Sequence, residues 1–178
     1  MTGKLSPTIC SPDGQRGFAS ARPNRRVSRG VCVSARNVLY AAVAVSFFAS
    51  PAAAKEYRVA MVNRGSNGAM DFAPAYLRIA AGDTVRFAVQ DKSHNAESIR
   101  ELTPAGGTLF KGAMNKEVVV KFTRPGLYGY KCLPHFAMGM VGLVQVGAAV
   151  NKTAFSAALA KLPPLARVRM TKFLQQAK

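Results

Sequence analysis

Three residue types that bind soft metal ions lie close together near the end of the chain. Cys132, His135 and Met140 follow one another with the spacing C-x2-H-x4-M. Thiolate, imidazole and thioether groups suit copper and zinc, and so short a spacing lets one loop supply all three. His94 is the only other histidine. Together the four side chains would form a trigonal His2Cys set with a weak axial thioether, the arrangement of a blue-copper electron-transfer centre.

Two other interpretations of these residues stay open at this point. In one, Cys132 is the nucleophile of an enzyme and His135 its base; this needs an orienting acid, and two groups so close in a tight turn cannot easily face one substrate. In the other, the protein is a copper chaperone or storage protein, a class that favours exposed Met-rich or His-rich ligands. Colour separates the classes, because a His2Cys site with Cu(II) is intensely blue.

The first 54 residues have the pattern of a cleaved export signal. Residues 1–37 are polar and basic, and the apolar stretch 38–49 is too short to span a bilayer. Small residues follow up to Ala54, after which we place the cleavage. The pattern predicts a periplasmic protein with no membrane span in its mature form.

The basic part of this signal is unusually long, because such signals run to roughly 15–30 residues. One hypothesis is a later translation start at a valine, and another is a twin-arginine signal at Arg25-Arg26. The candidate start positions are Val27, Val31 and Val33.

Export changes both the charge and the cysteine count. The whole chain has 25 basic and 8 acidic residues, a net charge of +17. Residues 1–54 hold seven of the basic and one of the acidic residues, so the mature chain keeps 18 and 7, a net of +11. Cys10 and Cys32 leave with the signal, and Cys132 alone cannot form an internal disulfide. A basic exported protein favours acidic partner proteins over nucleic acid.

The mature chain has a pattern of short strands followed by helices. Turn residues separate the strands, which predicts an antiparallel β-sandwich over residues 55–147. Apolar residues at helical spacing and Pro163-Pro164 then predict two helices over 148–178, the first capped by Asn151 or Thr153. The predicted strands are 57–62, 76–79, 84–89, 117–122, 127–131 and 140–146.

From Lys55 to Ala177 the chain resembles the pseudoazurins, type I copper proteins of the cupredoxin superfamily. The resemblance implies an all-β Greek-key sandwich of about eight strands with two short C-terminal α-helices and one copper ion near one end. It also implies a monomeric one-electron carrier, not an enzyme, that serves an acidic partner such as a copper nitrite reductase or a cytochrome. The matching segments are 63–65, 68–70, 82–85, 91–95, 125–132 and 134–142.

The resemblance also assigns roles to individual residues. It places His94, Cys132, His135 and Met140 on the copper ligands and the backbone amide of Asn95 on the cysteine sulfur. Met138 has the shorter spacing of amicyanin, but the segment 139–142 matches the pseudoazurin ending and therefore favours Met140. The chain departs from the family at two positions, with Ser93 in place of Gly and Phe136 in place of Tyr; we expect ligation to survive both.

This ligand set predicts how electrons leave the protein. His135 would be the exposed ligand, within an apolar docking patch formed by Pro134, Phe136, Ala137 and Met138. Basic side chains around the patch would steer acidic partners into a small, weak encounter. The candidates for this basic ring are Lys92, Lys111, Lys116 and Lys131.

Overall fold

The computed structural model describes residues 53–178, and nearly all of the predicted export signal lies outside that range. Eight strands and two α-helices form within it. The strands are β1 (Glu56–Gly65), β2 (Gly68–Ala73), β3 (Tyr76–Ile79), β4 (Thr84–Val89), β5 (Glu97–Ser98), β6 (Val118–Lys121), β7 (Gly126–Lys131) and β8 (Val141–Val146). The helices are α1 (Lys152–Ala158) and α2 (Pro164–Gln176).

The strands form two four-stranded sheets that face each other across one core. Their orders are β2-β1-β4-β6 and β3-β8-β7-β5. Four pairings are antiparallel, but β1 with β4 and β3 with β8 are parallel. The predicted β-sandwich is therefore confirmed, but its sheets are mixed and not purely antiparallel. The chain leaves the first sheet after β2, makes β3 in the second sheet, and returns to place β4 alongside β1 in the same direction.

Aromatic rings fill the space between the sheets. Phe72 and Phe87 both contact the ring of Tyr130 edge-to-face, at centroid distances of 4.8 and 4.9 Å. All three residues are buried. Edge-to-face packing of this kind stabilises a core beyond the area it buries, so the sandwich offers a rigid base for the loops at its ends.

Both predicted C-terminal helices are present, and each buries its apolar side. Phe155 of α1 is buried, and α2 begins at Pro164 as predicted. In α2 the buried residues are Ala166, Met170, Phe173 and Leu174, and this helix packs against β8. No helix among residues 53–178 is long and apolar enough to cross a membrane.

The start of α1 differs from the sequence prediction. Asn151 occupies the N-cap position, but its side chain makes no capping hydrogen bond. Instead the Asn151 amide group accepts a hydrogen bond from the N–H of Leu127 (2.7 Å) and donates one to the Leu127 carbonyl (3.0 Å). Asn151 thus ties the first helix to β7.

Candidate metal centre

Two loops at one end of the sandwich carry the four predicted ligands. His94 lies between β4 and β5, and Cys132 directly follows β7. His135 lies in the turn that leads to Met140, the residue before β8. Backbone hydrogen bonds close this second loop: the Cys132 N–H donates to the Met140 carbonyl (3.0 Å), and the Met140 N–H donates to the His135 carbonyl (3.1 Å). The strand pair β7–β8 therefore determines where the loop begins and ends.

Three of the four side chains form a tight cluster of donor atoms. The Nδ1 atoms of His94 and His135 lie 3.2 Å apart. The Cys132 Sγ lies 3.7 Å from the Nδ1 of His94 and 3.5 Å from that of His135. A point equidistant from the three atoms is about 2.0 Å from each, close to the length of a metal–imidazole bond. The donor set therefore fits a single metal ion.

The ring of His94 is oriented by Asn63. The Nε2 of His94 lies 3.0 Å from the Asn63 Oδ1, an acceptor, so Nε2 carries the proton and Nδ1 offers its lone pair to the cluster. Burial, with a smaller effect from nearby His135, lowers the pKa of His94. Both effects favour the neutral imidazole, which is the form that binds a metal.

Cys132 is fully buried. Burial raises the pKa of its thiol, and the N–H groups of Asn95 and His135 act in the opposite direction by bonding the sulfur. The Asn95 side chain also accepts a hydrogen bond from the Leu133 N–H (2.7 Å) and donates one to the Gly112 carbonyl (3.2 Å). Asn95 thus connects the two ligand loops.

Sequence reasoning missed the residue that holds the backbone before His94. Ser93, where the resemblance implies glycine, has a φ of 73°, in the left-handed region that favours glycine. The Ser93 N–H donates to the Asn115 side-chain oxygen, and the Asn115 N–H donates to the His94 carbonyl (2.8 Å). Asn115 was not identified because its partners are about 20 residues distant and no local motif marks it.

Burial distinguishes the candidate ligands from their neighbours. His94, Cys132 and Met140 are fully buried, whereas His135 is half-buried. Met138 is 46% exposed. The more buried thioether is thus the one favoured by the sequence.

Lys131 differs from the other lysines predicted to ring the patch. Its Nζ lies 3.4 Å from the Glu97 carboxylate and 4.7 Å from the centroid of the Phe136 ring. An ion pair and a cation–π contact therefore already engage this charge. Lys92, Lys111 and Lys116 are exposed, so they are the better candidates for long-range steering.

Comparison with known proteins agrees with the geometry. Residues 59–147 match the family described as copper binding proteins, plastocyanin/azurin family. The chain is 48% identical to a pseudoazurin of Paracoccus pantotrophus over 76% of this chain and 93% of that protein. The solved pseudoazurin of Hyphomicrobium denitrificans is 42% identical over 69% of this chain and 98% of its own, with a TM-score of 0.63. The pseudoazurin of Methylobacterium extorquens AM1 has a TM-score of 0.65 at 39% identity, over 68% of this chain and 98% of its own.

A two-sheet sandwich with a His-Cys-His cluster at one end defines a blue copper protein of the cupredoxin class. The chain belongs to the plastocyanin/azurin family of copper binding proteins and is pseudoazurin-like. It is an electron carrier that takes one type I copper ion and works with redox partner proteins, and it is not an enzyme. The interpretation of Cys132 as a catalytic nucleophile is thereby excluded.

Proposed function

We propose that His94, Cys132 and His135 are the three equatorial ligands of this copper, that Met140 is the axial ligand, and that the mature chain is a monomeric periplasmic carrier. The bound copper supplies a one-electron couple between Cu(II) and Cu(I). The observation that carries the proposal is the convergence of three donor atoms within 3.7 Å of one another. The hydrogen bond that His94 donates to Asn63 and the backbone hydrogen bonds of the ligand loop hold these donors, so both oxidation states meet the same geometry.

The alternative role of a copper chaperone agrees less well with the site. A chaperone must release its metal, which exposed and mobile ligands favour. Here His94, Cys132 and Met140 are fully buried, and the loop that carries two of them is closed by its own hydrogen bonds. The site supports retention of the metal.

The axial assignment is tested by exchanging each methionine for leucine, which keeps an apolar side chain of similar size. Met140→Leu should keep the blue colour and raise the reduction potential, because loss of a thioether donor destabilises Cu(II). Met138→Leu is the matched control and should change the potential little, because this side chain is 46% exposed. A larger shift in Met138→Leu would reverse the assignment.

Electrons would enter and leave through His135. Its half-buried ring lies among exposed apolar side chains, a surface suited to brief contact with a partner. Leu133 (52% exposed) and Met138 (46%) are the largest exposed apolar residues of this loop. Leu133 was not included in the predicted patch and extends it.

An acidic acceptor, such as a copper nitrite reductase or a cytochrome, is proposed from the net charge of +11. Its encounter with the mature chain should slow as salt is added, because the Debye length falls from ~30 Å at 0.01 M to ~10 Å at 0.1 M. Stopped-flow electron transfer across a salt series measures this. A rate that stays flat or rises with salt would place the basic residues away from the docking face.

Two charge reversals locate the docking face. Lys92→Glu changes an exposed residue two positions from His94 and should lower the rate at low salt without changing the visible spectrum. Lys121→Glu is the matched control, because exposed Lys121 pairs with Thr84 at the start of β4, whereas His94 follows the end of that strand. Equal effects of the two variants would refute docking at the copper end.

Export is tested on the protein recovered from the periplasm. Mass spectrometry should find a mature N-terminus at Lys55, in agreement with cleavage after Ala54. A chain that keeps residues 1–54 or stays in the cytoplasm would contradict the proposed location.

A further inference from the structure

We propose that Arg169, on the C-terminal helix α2, is a positioning residue that holds the peptide group from which Met140 projects. This inference rests on the proposed role of Met140 as the axial ligand. It assigns to α2 a part in tuning the copper site, although the helix provides no ligand.

The guanidinium group of Arg169 donates to three backbone carbonyls from two separate segments. One nitrogen, Nη1, lies 2.9 Å from the Met70 carbonyl oxygen and 3.0 Å from the Gly139 carbonyl oxygen. The other, Nη2, lies 3.0 Å from the Ala69 carbonyl oxygen. Arg169 forms no ion pair with a carboxylate of residues 53–178. Its donors thus join α2, strand β2 and the ligand loop at one point.

The Gly139 carbonyl belongs to the same peptide group as the N–H of Met140. That N–H donates to the His135 carbonyl (3.1 Å), and the Gly139 carbonyl also accepts from the Val141 N–H (2.9 Å). Both edges of this peptide plane therefore make hydrogen bonds: its N–H bonds the His135 carbonyl, and its carbonyl oxygen bonds the Val141 N–H and Arg169. Rotation of this plane would move the Met140 side chain relative to the donors of the cluster.

The first turn of α2 lies directly against this peptide. Gly139 has a φ of 84°, and a Cβ added there would lie 3.2 Å from Leu165 and 3.3 Å from the Arg169 side chain. Both the backbone conformation and the close approach require glycine. The ligand loop and α2 are thus in close contact, so a shift of the helix displaces the loop backbone at Gly139.

Arginine suits this role better than lysine does. Its planar group presents several N–H donors in a rigid fork, whereas a lysine ammonium is a single point at the end of a flexible chain. A lysine at position 169 keeps the charge, but its single side-chain nitrogen cannot occupy the positions of both guanidinium nitrogens that donate to these carbonyls. Substitution by lysine therefore separates the geometry of the fork from its charge.

The test compares Arg169→Lys and Arg169→Gln with the same substitutions at Arg167. Arg167 is exposed on the same helix and makes no side-chain hydrogen bond within residues 53–178, so it controls for charge. In the copper-free mature protein, both Arg169 variants should speed amide hydrogen exchange at Met140 by about tenfold or more. The Arg167 variants should leave that exchange rate unchanged.

The copper-loaded protein provides a second readout. Arg169→Lys should alter the Cu(II) electron paramagnetic resonance spectrum and raise the reduction potential, in the direction of Met140→Leu but less far. Spectrum, potential and exchange that match those of Arg167→Lys would overturn the proposal. If Arg169→Gln fails to fold, Arg169→Lys still decides between these outcomes.

Failure of this inference is distinguishable from failure of the ligand assignment. An unchanged potential in Met140→Leu refutes the axial ligand, and with it the tuning role of Arg169. A raised potential in Met140→Leu together with unchanged exchange in Arg169→Lys refutes the role of Arg169 alone.

Discussion

Replacement of Ser93 by glycine should stabilise the protein. Ser93 precedes the ligand His94 and has a φ of 73°, a conformation in which a side chain is strained. Its own side chain is exposed. The hydrogen bond that it donates to Asn115 comes from the backbone N–H, so Ser93→Gly keeps this bond and removes only the strain.

The size of the effect follows from two opposing terms. A non-glycine residue in the left-handed region costs about 1–2 kcal/mol. Glycine in turn has more freedom to lose on folding, by roughly 0.5–1 kcal/mol relative to alanine. Ser93→Gly should therefore raise the free energy of unfolding by about 0.5–1 kcal/mol, a shift of roughly 2–4 °C in Tm for a domain of this size.

Urea and thermal unfolding of the copper-free mature protein measure this difference. Ser93→Ala is the matched control, because it removes the hydroxyl group but keeps the Cβ atom and its strain. We expect Ser93→Ala to unfold like the parent and Ser93→Gly to be more stable than both. Equal stability of the glycine and alanine variants would show that the backbone at Ser93 is not strained.

Three further substitutions test contacts around the site. Asn63→Ala should lower copper affinity about 10–100-fold, as measured by competition with a chelator, because the His94 ring loses the acceptor that orients it; unchanged affinity would contradict that role. Lys131→Gln should lower the free energy of unfolding in urea by about 1–2 kcal/mol, because the Glu97 carboxylate, only 11% exposed, loses its ion-pair partner and keeps the hydrogen bond from Asn95; an unaltered midpoint would argue against the ion pair. Tyr130→Phe should raise the free energy of unfolding by about 1 kcal/mol, because the buried hydroxyl has no hydrogen-bond partner among residues 53–178. Burial and the Asp71 charge also raise the pKa of Tyr130, so near pH ~10 this tyrosine ionises in the unfolded chain but not in the folded one. The free energy of unfolding of the parent should therefore fall above that pH, and that of Tyr130→Phe should fall less.

The ligand residues could be predicted from sequence because their chemistry is rare and local. Cys132, His135 and Met140 lie within nine residues, and His94 was the one histidine left to complete the set. The strands rich in β-branched and aromatic residues, such as β4 and β8, were also found because propensity and pattern agree there.

Features that depend on distant partners were not predictable. Strand β2 contains Gly68, Met70 and Asp71, residues that do not favour strands; it forms because β1 pairs with it along its length and because the Asp71 carboxylate accepts hydrogen bonds from Asn67. Strand β5 has only two residues, too few for any periodicity.

The same limit applies to the residues around the site. Asn115 and Arg169 act through backbone groups about 20 to 100 residues distant in sequence. Because a hydrogen bond to a backbone N–H or carbonyl does not depend on the side chain of that residue, neither contact leaves a motif that sequence reasoning can detect.

The visible spectrum of Cys132→Ser tests the central claim most directly. The parent and the variant are purified without their first 54 residues, loaded with one equivalent of Cu(II) and compared. The account predicts an intense blue parent and a variant without that band, because the transition from thiolate to copper gives such a site its colour. A blue band that survives in Cys132→Ser would contradict the assignment of the copper site to His94, Cys132 and His135.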